Sequence, residues 1–116
     1  MSEQETRKLL DLIKAGAEDK KARNITILEL GELSIMTDYF VIMSGNSTTQ
    51  VRAIADGIEE KVKEGLGVIP LRREGLRSGR WILLDYGQAV VHVFLEEERQ
   101  YYNLERLWGE AKRLDS

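Results

Sequence analysis

Apolar positions along this chain follow three patterns: a helical stripe, a strict alternation and short continuous runs. From Ser2 to Ala22, Leu9, Leu10, Ile13 and Ala17 recur at helical spacing with Lys and Glu between them. That spacing predicts an amphipathic helix, which Gly16 weakens from inside. From Asn24 to Leu30, Ile25, Ile27 and Glu29 alternate with Thr26, Leu28 and Leu30, which predicts a strand closed by Gly31. A short turn over 35–38 leads to a second strand, Tyr39 to Met43, ended by Gly45. Ser47 is placed to cap a helix, with Gln50 reaching back as in a capping box. Val51, Ile54, Ala55, Ile58 and Val62 form its buried stripe, and Gly65 and Gly67 stop it.

The second half reads as strands followed by a helix. Val68 to Leu71 predicts a short strand in which Pro70 marks an edge or a break. Arg72 to Arg80 reads as a basic, flexible loop. Trp81 to Leu84 and Ala89 to Leu95 read as two strands joined through Asp85-Tyr86-Gly87-Gln88, a tight hairpin because Gly87 can take a positive φ. Both runs are apolar on both faces, which predicts the centre of a sheet. With a loop centred on Tyr86-Gly87, His92 would stand opposite Trp81. Asn103 would cap a last helix to about Leu114, with Leu104, Leu107, Trp108 and Ala111 on one face. The element order predicts an α/β fold, a mixed sheet flanked by helices. If the strands on either side of the 47–65 helix are parallel neighbours, their connection is a right-handed crossover.

Composition narrows the class. The 116 residues, 42% hydrophobic and 32% charged, fit one soluble domain over residues 1–116. No apolar run is long enough to span a bilayer. The acidic Met1-Ser2-Glu3-Gln4-Glu5 start resembles neither a secretory signal nor a transit peptide, so a cytoplasmic location is expected. Without cysteine there is no disulfide, thiolate catalysis or cysteine-bound zinc. A net charge of −3 argues against a general grip on nucleic acid, leaving RNA contact secondary and local.

Each candidate for chemistry has a simpler structural counterpart. Gly45-Asn46-Ser47 is a glycine-led turn into a helix, a geometry that can bind phosphate. It equally ends a strand and caps a helix, and no phosphate-loop lysine follows. The same turn with Asp85 suggests a nucleotidyltransferase, whose strand carries two alternating carboxylates for two magnesium ions. Here the alternate position is Gly87. His92 is the only histidine, with no second histidine or cysteine to share a transition metal, and reads as a neutral, hydrogen-bonded residue of the sheet. No cofactor or metal is expected.

Two stretches suggest a partner. Arg72, Arg73, Arg77 and Arg80 could meet phosphate or serve only as a solvated loop. Glu96, Glu97 and Glu98 are consecutive and cannot all be buried cheaply, so an acidic patch would steer a basic partner. Arg99, Tyr101, Tyr102 and Trp108 are of the types that anchor interfaces, although Tyr102 and Trp108 also suit packing of the last helix.

The order and spacing of several motifs resemble one family. They are Thr37-Asp38-Tyr39-Phe40-Val41-Ile42, Gly45-Asn46-Ser47, 51–56, Glu74-Gly75, 81–87, Val91-His92-Val93-Phe94, 99–102, Leu104-Glu105 and Leu107-Trp108. The chain resembles a bacterial ribosomal silencing factor of the Iojap-related family from Asn24 to Trp108, with Asn46 where threonine is commoner. The resemblance implies a nucleotidyltransferase-like fold without the catalytic carboxylate pair, a homodimer, and no enzyme activity. It also implies binding to protein fourteen of the large ribosomal subunit, which blocks joining of the small subunit and lowers translation when nutrients are scarce. The partner-binding candidates are then Trp81, Asp85, Tyr86, His92, Glu97, Glu98, Arg99, Tyr102, Glu105 and Trp108, assisted by the arginine loop. A metal-dependent nucleotidyl- or phosphotransferase is the alternative.

Overall fold

A computed structural model describes residues 2–102 and 112–114 of the chain. The elements are α1 (Glu3–Asp19), β1 (Arg23–Glu29), a 3-10 turn (Gly31–Leu33), β2 (Tyr39–Gly45), α2 (Thr48–Leu66), β3 (Arg72–Glu74), β4 (Trp81–Asp85), β5 (Ala89–Leu95), α3 (Glu96–Tyr102) and β6 (Lys112–Arg113). They form one mixed sheet of order β3-β4-β5-β2-β1-β6, in which only β2 and β5 are parallel neighbours. The expected α/β fold, a mixed sheet flanked by helices, is the observed one.

Both long helices start on side-chain caps. Ser2 and Glu5 exchange hydrogen bonds in a full capping box. At α2, Ser47 Oγ accepts from Gln50 N at 3.1 Å, but the Gln50 side chain accepts from Asn46 N rather than Ser47 N. Its amide also donates to the carbonyls of Lys20 and Lys21, tying the start of α2 to the end of α1. Helix α1 runs unbroken through Gly16. A Cβ there would lie 2.8 Å from Gly57 O and Ile58 Cα, so glycine is what lets α1 and α2 cross this closely.

The sheet has two different faces. Val41, Met43, Ile82, Leu84, Val91 and Val93 point to α1 and α2 and build the main core. The alternate residues form a second cluster on the opposite face: Leu28, Leu30, Ile42 and Phe94, with Phe40 and Trp81 packed against it.

Four expectations are corrected. Residues 68–71 form no strand: Gly67 ends α2 in the left-handed conformation, and Pro70 has no N–H to donate. Pairing begins at Leu71 N, which donates to Asp85 O, and the strand is β3 at the sheet edge, so it is no neighbour of β2. The first third of the basic stretch is therefore strand, and the rest is no loose loop. Arg52 of α2 donates to the carbonyls of Leu76 and Arg77, and Gly75 packs on the Trp81 carbonyl with φ of 81°. Of the two hairpin strands, β5 is central and buried on both faces, but β4 alternates buried with half-buried because only the short β3 lies outside it. Finally, α3 starts directly after β5, and Lys112–Arg113 is a strand on β1 rather than the end of a helix. The predicted cap Asn103 and residues 104–111 lie outside the described residues.

Candidate functional site

The hairpin turn decides the geometry of the second face. Tyr86 N donates to Ala89 O, and Asp85 Oδ1 accepts from Gly87 N at 2.8 Å, so the two-residue loop is Gly87-Gln88. Gly87 takes φ of 89°. The register is one step on from a loop centred on Tyr86-Gly87: Leu83 stands opposite His92, and Trp81 opposite Phe94. Trp81 and His92 remain on one face as diagonal neighbours, close enough for long side chains to meet.

They do meet. Trp81 Nε1 donates to His92 Nδ1 at 3.1 Å, and the indole stacks on Phe94 with centroids 4.7 Å apart. Phe40 approaches the imidazole edge-on at 4.6 Å. Because Nδ1 accepts, the proton of the neutral ring resides on Nε2. His92 is 4% exposed, and burial pushes its pKa down to about 4. It is the neutral, hydrogen-bonded histidine expected of it.

Three other predicted site residues have structural roles. Tyr86 is buried among the helix-side core, and the loss of solvent, with the Glu59 charge second, holds its hydroxyl well above the usual phenol range. It is therefore a core residue and not a surface contact, because the residue before a tight turn still follows the strand alternation. Arg99 is not a freely projecting anchor. Its guanidinium donates to Asn24 O, Ser44 Oγ and Thr26 Oγ1 at 2.6, 3.0 and 3.2 Å, fastening α3 across β1 and β2. Asp85 shapes the turn and lies 3.9 Å from Arg72.

The charged candidates form a paired rim. Glu98 binds Arg80 at 2.8 Å, Arg72 binds Glu74, and Arg73 binds Glu59 of α2. Glu97 and the Arg77 side chain are exposed. Glu105 and Trp108, like the side chain of Tyr102, lie outside the described residues. What sequence reasoning missed is the Leu30–Asp38 connection, which leaves Ile35 and Met36 almost wholly in solvent. Two adjacent apolar residues beside a turn were the available signal.

The phosphotransfer constellation is not assembled. Asp85 pairs with Val90, next to Phe40, whereas Gly45 pairs with Leu95. The Gly45-Asn46-Ser47 turn and Asp85 are thus five residues apart along β5, about 17 Å, at opposite ends of the sheet. Among the described residues, no three acidic or histidine side chains gather as a metal site.

Comparison with known proteins agrees along the whole chain. Residues 3–116 match the family model described as RsfS, ribosomal silencing factor during starvation. The chain is 44% identical to the ribosomal silencing factor RsfS of Bacillus subtilis, covering 92% of this chain and 90% of that one. It is also 44% identical to that of Halalkalibacterium halodurans, covering 99% and 95%. The chloroplastic protein Iojap of Arabidopsis thaliana is 31% identical over 85% of this chain and 41% of its own. A crystal structure from Chromobacterium violaceum superposes with a TM-score of 0.86 at 38% identity, covering 94% of this chain and 88% of that one. With a family profile over residues 3–116 and relatives and a solved structure that each cover more than nine-tenths of it, the chain belongs to the ribosomal silencing factor (RsfS) family.

Proposed function

We propose that this protein is a non-enzymatic translational repressor of the cytoplasm that acts by occupying a surface. It binds the large ribosomal subunit through that subunit's protein fourteen, and a homodimer is its working form. With that face covered, the small subunit cannot join, and translation slows under nutrient limitation. Family membership over the full length carries this reading. The face of the sheet opposite α1 and α2 supports it, since Trp81, Leu83 and Val90 are only half-buried there and the acidic Glu98 is held beside Trp81 by its ion pair to Arg80. The arginine side chains at 72, 73, 77 and 80 assist docking without defining it, because exposed ion pairs are weak and screened by salt. A transferase would need Asp85 beside the Gly45 turn, and the two are a sheet length apart.

Co-sedimentation tests the proposal. The purified protein should travel with isolated large subunits and lower the yield of joined ribosomes when small subunits are added. Joining that proceeds undiminished at saturating protein overturns it. Saturable binding of magnesium nucleotide in calorimetry, abolished by Asp85→Asn, would instead favour the enzyme.

A further inference from the structure

Six large apolar side chains stand exposed among the described residues, and five share one end of the sheet. Leu33, Ile35 and Met36 lie on the Leu30–Asp38 connection, and Ile69 and Leu71 precede β3. Hydrogen bonds from Asp38 and Tyr39 to Gln88 O, and from Leu71 to Asp85 O, hold both groups beside the hairpin turn. This is the end where β1 and β4 finish and β2 and β5 begin, away from α3 and the acidic Glu96–Glu98 stretch.

The connection is built to hold its tip out. Leu30 N donates to Asp38 O at 2.8 Å and closes the loop at its base. Ser34 Oγ accepts from the backbone N–H groups of Met36 and Thr37. Within this frame Ile35 is 99% exposed and Met36 85%. Single exposed apolar residues are ordinary. An adjacent pair on a hydrogen-bonded frame presents area at little further cost in ordering, the property of a preorganised contact.

Charge selects the occupant. Beside the connection is a cleft of about 310 Å³ lined, among the described residues, by Glu3, Thr6, Glu29, Gly31, Asp38, Tyr39 and Gln88, three carboxylates against the one lysine, Lys112 of β6, that stands opposite Glu29 in register. Burial, then Glu29, Asp38 and Glu3, raise the pKa of the Tyr39 hydroxyl, and only Arg7 of α1 opposes them. Glu32 adds another exposed carboxylate on the connection itself. Such a field repels a phosphate backbone and attracts a cationic protein surface.

We propose that the Leu30–Asp38 connection is a docking tongue for a basic protein surface, with Ile35 and Met36 covering an apolar patch and a partner lysine or arginine entering the Glu3–Glu29–Asp38 cleft. The inference rests on the reading above that the chain binds the large subunit. It names a protein of that subunit, and not its RNA, as what this end touches.

The test uses the full chain and purified large subunits. Ile35→Asp with Met36→Asp, and separately Asp38→Lys, are followed by thermal unfolding and by co-sedimentation. Both variants should unfold like the parent, because the altered side chains are exposed. Subunit affinity should fall by about tenfold or more for the double variant and severalfold for Asp38→Lys. Should the double variant misfold, Ile35→Ser alone supplies the same comparison. If the parent binds and the folded variants bind equally well, the tongue is overturned and the function stands. If affinity falls only on changing Arg72 and Arg77 to Ala, docking is to phosphate and the tongue is again overturned. If the parent itself does not bind, the functional reading fails, and this inference with it.

Discussion

The indole N–H of Trp81 is satisfied by Nδ1 of His92, 3.1 Å away and on the same face of the sheet although not directly opposite in register. This diagonal bond fixes both the orientation of the indole and the tautomer of the imidazole. Trp81→Phe keeps a ring to stack on Phe94 but leaves Nδ1 without its donor. An unsatisfied buried acceptor costs about 1–3 kcal/mol. Urea denaturation of Trp81→Phe should show a loss in that range with an unchanged m-value, and full parental stability would refute the role given to the bond.

The same histidine makes stability depend on pH. Its pKa is lowered from 6.5 to about 4 in the folded chain, so on acidification the unfolded chain takes up the proton first. The stabilisation is complete above pH 6.5, declines as pH falls from 6.5 towards 4, and is gone below that. Integrated, it is worth about 3 kcal/mol. His92→Gln, which does not titrate, should lose less stability than the parent between pH 7 and pH 4.5 in chemical denaturation. Parallel pH profiles for the two proteins would contradict this.

Arg99 holds α3 to the sheet through three acceptors on β1 and β2. Lysine keeps the charge but cannot present a planar fork to three oxygens. Arg99→Lys should therefore cost about 1–3 kcal/mol and speed hydrogen exchange in α3 before the rest of the domain. A variant with parental exchange that loses only ribosome binding would make Arg99 a contact residue instead.

Gly16 is where two helix backbones meet. Gly16→Val would place Cβ 2.8 Å from the backbone of Gly57 and Ile58, which cannot move aside like a side chain. Overpacking of this kind costs about 1–3 kcal/mol. Thermal unfolding should show a clear drop in Tm, and an unchanged or raised Tm would mean that the helices separate without penalty.

Local pattern determined much of this protein. The apolar stripes at 9–17 and 51–62 became α1 and α2, and the runs from 25, 39, 81 and 89 became strands, because burying a periodic face forces one backbone period. The neutral state of His92 was legible too, from a lone histidine in an apolar run. The family was legible from the order of its motifs. Tertiary structure decided what depends on residues distant in sequence. A one-step change in the hairpin turn set which residue faces His92. Strand alternation carried Tyr86 into the core, and acceptors on β1 and β2 drew Arg99 inward. Arg52 pinned what reads as a loose arginine loop. The close crossing at Gly16 and the exposure of Ile35 and Met36 belong here as well. Sequence periodicity records which face is buried, but contact partners, register and exposure are properties of elements brought together, and no local window contains them.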